Sequence, residues 1–208
     1  MTANNVIDAV RRRLGDSFNE RWSDEQLLLY VSLCQNDICV FTGFHRVESS
    51  IPMVAGQTLY DLPSDCIALT RAEAKGEILP IQTTNDIDNH TVITPCIIKD
   101  LLPYNKLEVY NDGSDVDFDS ITIFYKGVPP LLISMTEELL LPDYWLVAFI
   151  HYVTGAALQD DNDANNIQRG EMELQKYGRM LDKLYKASAK DFTSNMKNKL
   201  DTNYRRVI

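Results

Sequence analysis

The chain has 208 residues, 45% hydrophobic and 24% charged, which suits one globular unit with a sizeable core and room for an insertion. No run of about 18 apolar residues is free of charge, and Arg11-Arg12-Arg13 is not followed by a hydrophobic run, which argues against a transmembrane helix, a signal peptide and a membrane partner. Lys and Arg total 20 against 30 Asp and Glu, but residues 176–208 hold nine basic and three acidic side chains, leaving 11 basic against 27 acidic in residues 1–175. The body is therefore acidic at −16, the wrong sign for gripping a phosphate backbone, and the end is basic at +6.

Val6, Ile7, Val10 and Leu14 predict a short amphipathic helix over 3–14, which Gly15 can end in the left-handed conformation. A second helix over 24–42 has a marked start. Ser23 can cap, Gln26 can reach back to it, and Trp22 can pack on Leu27 as a hydrophobic staple. Leu27, Tyr30, Val31, Cys34, Ile38 and Phe41 continue the apolar stripe to Gly43.

From residue 48 to residue 130 the hydrophobic period changes from 3.6 to 2 and turn residues recur, so this middle is expected to be a mainly antiparallel β region of four to six strands. Residues 51–54 and 58–62 read as the two arms of a hairpin around Ala55-Gly56-Gln57, and further strands are expected over 67–74, 78–83, 106–110 and 120–125. No strand is assigned between 85 and 103.

Residues 139–186 read as two long helices joined by an acidic turn. Pro142 suits a first helical position and Asp143 complements the helix dipole, so a helix is expected over 142–160. Trp145, Ala148, Phe149, Tyr152 and Ala156 give it one face to bury. After Asp160-Asp161-Asn162-Asp163, a helix over 163–187 carries a narrow seam of Ile167, Gly170, Leu174, Tyr177, Leu181 and Leu184. Gly155, Ala156 and Gly170 would let the two helices approach closely. The fold expected is α+β: an antiparallel four-helix bundle core from residues 1–47 and 131–187, a β insertion at 48–130, and a C-terminal arm at 188–208.

Little chemistry is legible. Asp112, Asp115, Asp117 and Asp119 lack the glycine and glutamate that a calcium loop needs, since Ser120 and Lys126 stand at those places, and they read as a solvated turn. His45, His90 and His151 form no two-histidine metal spacing, and Cys34, Cys39, Cys66 and Cys96 form no Cys-x-x-Cys pair and read as reduced, buried thiols. No nucleophile elbow or phosphate-binding loop is present, so no enzyme activity, metal or cofactor is expected. The basic end has two readings, a solubilising tail or a segment that orders on a partner.

Arg21-Trp22-Ser23-Asp24-Glu25-Gln26-Leu27-Leu28, residues 55–65 (AGQTLYDLPSD) and Leu141-Pro142-Asp143-Tyr144, with the order of elements over about residues 5–186, resemble head-to-tail adaptor (connector) proteins of tailed bacteriophages. The resemblance implies a structural virion protein at the head-to-tail junction, made in the host cytoplasm. It implies a ring, usually of twelve copies, that contacts the portal, itself and the next neck or tail protein, and whose bore passes genomic DNA without specific binding. The β region is long for the simplest adaptors, so another ring of the neck is an alternative; a nucleic-acid-binding protein using the basic tail and an enzyme without a recognisable motif are others. On the adaptor reading residues 187–208 form a docking arm. Phe192, Met196, Leu200 and Tyr204 recur every four residues as one helical stripe, and Lys197, Lys199, Arg205 and Arg206 would steer it to an acidic portal surface.

Overall fold

The computed structural model describes residues 1–16, 18–82, 96–98, 106–110, 119–161 and 163–204, with residue 98 and residues 187–204 as backbone alone. The chain is α+β and divides into two compact units, Met1–Ile38 with Pro130–Ile208, and Cys39–Pro129.

The first unit is helical among the described residues. Helix α1, Ala3–Leu14, starts from a reciprocal box in which the Thr2 hydroxyl accepts from the Asn5 N–H at 3.4 Å and Asn5 Oδ1 accepts from the Thr2 N–H at 2.9 Å. It buries Ala3, Val6, Ile7 and Val10 and ends at Gly15, whose φ of 73° is the left-handed conformation expected there. At the start of α1, backbone hydrogen bonds tie Met1, Ala3 and Asn4 to residues 135–139. Helix α2 spans Asp24–Thr42, helix α3 Leu146–Gln159 and helix α4 Ala164–Tyr204.

Three details differ from the sequence reading. Ser23 Oγ does cap α2, accepting from the Gln26 N–H at 3.1 Å, but the Gln26 side chain turns away to Tyr30 and Asp160, so the box is half made. Pro142 does not open a helix: its extended backbone (φ −62°, ψ 161°) precedes a 3-10 turn at Asp143–Trp145, and α3 follows. Helix α4 runs to Tyr204 rather than stopping near 187, because after Gly178 the sequence holds neither glycine nor proline to end it.

The second unit holds eight strands among the described residues: β1 Arg46–Pro52, β2 Leu59–Asp61, β3 Cys66–Ala74, β4 Glu77–Leu79, β5 Ile81–Gln82, β6 Cys96–Ile98, β7 Lys106–Tyr110 and β8 Ser120–Gly127. They form two four-stranded sheets, ordered β1-β8-β3-β4 and β2-β7-β6-β5, antiparallel except for the β5–β6 pair. Residues 51–54 and 58–62 are therefore not arms of one hairpin. Ile51 pairs with Ile121 in the first sheet, while Leu59–Asp61 pairs with β7 in the second. The buried Tyr60 ring draws β2 inward, and its hydroxyl donates to Gln57 O at 2.8 Å and accepts from the Val54 N–H at 3.1 Å, which holds the intervening turn. The single strand expected over 78–83 is split at Pro80 into β4 and β5, one in each sheet, since proline has no N–H to continue a ladder. Ile51, Ala72, Leu79, Ile121 and Ile123 of one sheet and Tyr60, Ile97, Leu107 and Val109 of the other share one apolar core. In β7 and β8 alternate residues supply it, as a pleated strand requires. Most of the stretch 85–103 and the aspartates at 112, 115 and 117 lie outside the described residues.

Helices α3 and α4 meet as antiparallel neighbours at two glycines. A Cβ added at Gly170 would sit 2.9 Å from the carbonyl oxygen of Gly155, and one at Gly155 would sit 2.8 Å from Leu174 Cγ and 3.1 Å from the carbonyl oxygen of Gly170. Only hydrogen at both positions allows this approach. Gly170→Ala should lower unfolding stability by about 1–3 kcal/mol through overpacking, although alanine is the better helix former by about 1 kcal/mol. Gly178→Ala, whose Cβ meets nothing within 4 Å, should instead gain up to about 1 kcal/mol. Urea denaturation of the two variants checks both signs.

Candidate functional site

The helical unit brings most of the residues expected to pack into contact with its interior. Trp145 and Phe149 of the first long helical segment are buried, as are Tyr177 and Leu181 of α4, and Leu174 and Leu184 are half-buried. Tyr152 packs edge-on against Tyr177 with ring centroids 5.0 Å apart at 71°. Ile167 stands 37% exposed. The inward seam of α4 runs instead through Asn166, Gly170, Glu173, Tyr177 and Leu181, because Asp161 takes the Asn166 amide and the Gly155 contact fixes Gly170. Hydrophobic periodicity could not find the polar members of that seam.

Glu173 is the polar centre. It is 8% exposed, and its carboxylate accepts from Arg13 Nη2 of α1 at 2.9 Å on both oxygens and from Lys176 Nζ at 2.7 Å, with His151 Nδ1 of α3 2.7 Å from Oε2. Burial pushes its carboxyl up, but the hydrogen bonds from Lys176, His151 and Arg13, with the Arg13 charge, outweigh it and bring the group down to about 2. One carboxylate thus ties three helices together. The i, i+3 pairing of Glu173 with Lys176 was the one sequence signal for it.

A second network fixes the α1–α2 connection. Arg11 Nη1 donates to Asp16 Oδ2 at 2.8 Å, and its Nη2 reaches Trp22 O at 3.0 Å and Asp24 Oδ1 at 2.5 Å, while Asp16 accepts from the backbone N–H groups of Glu20, Arg21 and Trp22. Trp22 is buried, and its indole N–H donates to Ala157 O at 3.0 Å, so it anchors the connection to α3.

The acidic turn between α3 and α4 is occupied by the protein's own donors. Tyr30 donates to Asp160, Arg21 pairs with Asp161, and Asp163 Oδ1 accepts from the Asn165 N–H at 2.8 Å. Burial and then Asp160 push the Tyr30 hydroxyl up to about 12, and burial together with the nearby Cys34 and Asp37 raises the Tyr177 hydroxyl, which donates to Asp37 of α2. Among the described residues no three His, Cys, Asp or Glu side chains come together to hold a metal ion, and no helix is long and apolar enough to cross a membrane.

Of the residues expected to dock, Phe192, Met196, Lys197, Lys199, Leu200 and Tyr204 lie along the backbone of α4, and Arg205 and Arg206 lie outside the described residues. The surface of α2 exposes Leu29, Leu33 and Val40 along one face. Leu131 and Ile133 are also exposed, flanking Leu132, whose N–H donates to Ser32 Oγ of that helix at 3.0 Å.

The family model described as SU10 adaptor protein matches residues 1–199. The chain belongs to this family. The SU10 adaptors are phage head-to-tail adaptors. The match takes in both units and continues along α4 past the last described side chain. No curated protein matches the chain.

The Glu173 network gives this adaptor a definite acid response. The carboxyl lies at about 2 in the fold against an ordinary 4.5, so its stabilisation is complete above about 4.5 and is lost as pH falls toward 2. Arg13 and Lys176 are 41% and 46% exposed, which reduces the loss to on the order of 2 kcal/mol. Glu173→Gln should be less stable than the parent at pH 7, with the difference closing between pH 4.5 and 2, as urea midpoints across that range would show.

Proposed function

We propose that this SU10-family adaptor is a structural, non-catalytic component of the tailed-phage virion that assembles as a ring at the head-to-tail junction after synthesis in the host cytoplasm. Twelve copies is the number that the resemblance implies. The ring binds the portal on one side, extends the channel through which genomic DNA passes, and offers the next neck or tail protein its attachment platform. The observation that carries this reading is the family match over residues 1–199.

Physical features support it. An acidic body suits a conduit, because phosphate contacts along the bore would hold the genome back. Exposed Leu29, Leu33, Val40, Leu131 and Ile133 are the kind of apolar surface that an assembly buries. On this reading the four helices form one bundle around the α3–α4 pair, and residues 48–130 are an insertion into it. Residues 188–208 are the docking arm, with Phe192, Met196, Leu200 and Tyr204 on its apolar stripe and Lys197, Lys199, Arg205 and Arg206 beside it.

Native mass measurement of the chain alone and with portal-bearing heads tests the ring, and a species no heavier than a monomer in both would refute it. Deleting residues 190–208 should leave the far-ultraviolet circular dichroism of a folded helical unit while abolishing attachment to portal-bearing heads. Attachment at full strength would eliminate the arm as the docking element, and loss of folding would place it in the core.

A further inference from the structure

A cleft of about 230 Å³ lies within the helical unit where α1, α3 and α4 meet, with Arg13, Thr154, Leu158, Arg169, Glu173 and Lys176 among its walls. Three of these are cations and one is a carboxylate, so the cleft is positive in a body whose residues 1–175 carry 11 basic against 27 acidic side chains. Glu173 does not exhaust the donors. Arg13 gives it Nη2 alone, and Arg169 is exposed with one hydrogen bond, from Nη1 to Asn166 Oδ1 at 3.1 Å.

Two guanidinium groups, of Arg13 and Arg169, and the Lys176 ammonium around one cleft are a set of donors suited to an oxyanion.

We propose that this cleft is a carboxylate-binding site, filled in the assembled protein by an acidic side chain of a neighbouring copy of the chain. Leu158 is buried in its wall and Met172 is exposed in its lining, giving an apolar side for the methylene stem of Asp or Glu that inorganic phosphate lacks. The abundant oxyanion in a homo-oligomer of this chain is the carboxylate, with 27 in residues 1–175 of each copy. Assigning the carboxylate to a neighbour rests on the ring reading; the binding of a carboxylate does not.

The test uses the full chain. Thermal melts at pH 7 and matched ionic strength compare sodium glutarate, inorganic phosphate and chloride. A saturable rise in Tm is expected in glutarate, smaller in phosphate, and lost in Arg169→Gln, an exposed position whose replacement should not unfold the protein. Equal Tm in glutarate and chloride, or a rise undiminished in Arg169→Gln, overturns the site. A larger rise in phosphate overturns the choice of carboxylate. By native mass, Arg169→Glu should cut the assembled fraction at least about tenfold while circular dichroism stays unchanged. Assembly at the parental level overturns the neighbour as the source. A parent chain that responds to glutarate but never exceeds the mass of a monomer refutes the ring and the neighbour together and leaves the carboxylate site standing, so the two failures are distinguishable.

Discussion

The close approach of α3 and α4 at Gly155 and Gly170 is the constraint on which the helical unit depends. With a carbonyl oxygen 2.9 Å from where a Cβ would be, the two backbones are as near as the chain permits, and the azimuth of α4 is set by that contact. Tyr177 then meets Tyr152, and Glu173 meets His151 from α3 and Arg13 from α1. Had the apolar seam alone decided the azimuth, Ile167 would have turned inward. Close packing of small residues outweighs one isoleucine, because loss of many dispersion contacts along two helices costs more than leaving one apolar side chain half in water.

Polar groups are used within this unit for position. The Glu173 carboxylate, desolvated yet held ionised by three donors, gains only if all its partners are in place, so it specifies the relation of α1, α3 and α4 more sharply than apolar contact can. Arg11 and Asp16 do the same for the α1–α2 connection, where a buried guanidinium and a carboxylate satisfy backbone groups of the connecting loop. Such networks are ordinarily a burden on stability, and a protein that must keep one shape within a larger assembly has reason to retain them.

The β unit is organised by a different rule. Each sheet buries one face on a common core, so the chain must pass from one sheet to the other. Among the described strands it does so four times, from β1 to β2 at residues 53–58, held by the Tyr60 hydroxyl, from β2 to β3, from β4 to β5 at Pro80, where the missing N–H ends the first ladder, and from β7 to β8. Strand β8, between β1 and β3, carries the longest ladder among the described residues of the unit, seven residues with β1, and its alternation of inward and outward residues locks the register because a slip by one would turn every inward side chain to the other face.

The element types and most of their starts were local properties, and the sequence determined them. Gly15 could end α1 because only glycine takes φ 73° without strain, and Ser23 could cap α2 because its hydroxyl reaches the Gln26 N–H within three residues. The period of two in residues 106–110 and 120–127 announced β7 and β8, and the small residues at 155 and 170 announced the helical contact. The motifs around Trp22, Gly56 and Pro142 were enough to suggest the adaptor family, which the match over residues 1–199 then showed. Tertiary structure decided what depends on partners distant in sequence. Which strand pairs with which was one such matter: β1 finds β8 some 70 residues later, where local pattern had suggested the nearer β2. The burial of a charged residue was the other. A glutamate among apolar neighbours looks like a solvated side chain until Arg13, 160 residues away, and His151, 22 residues away, are brought to it, because the free energy of a buried charge is fixed by its donors and only the fold can supply them.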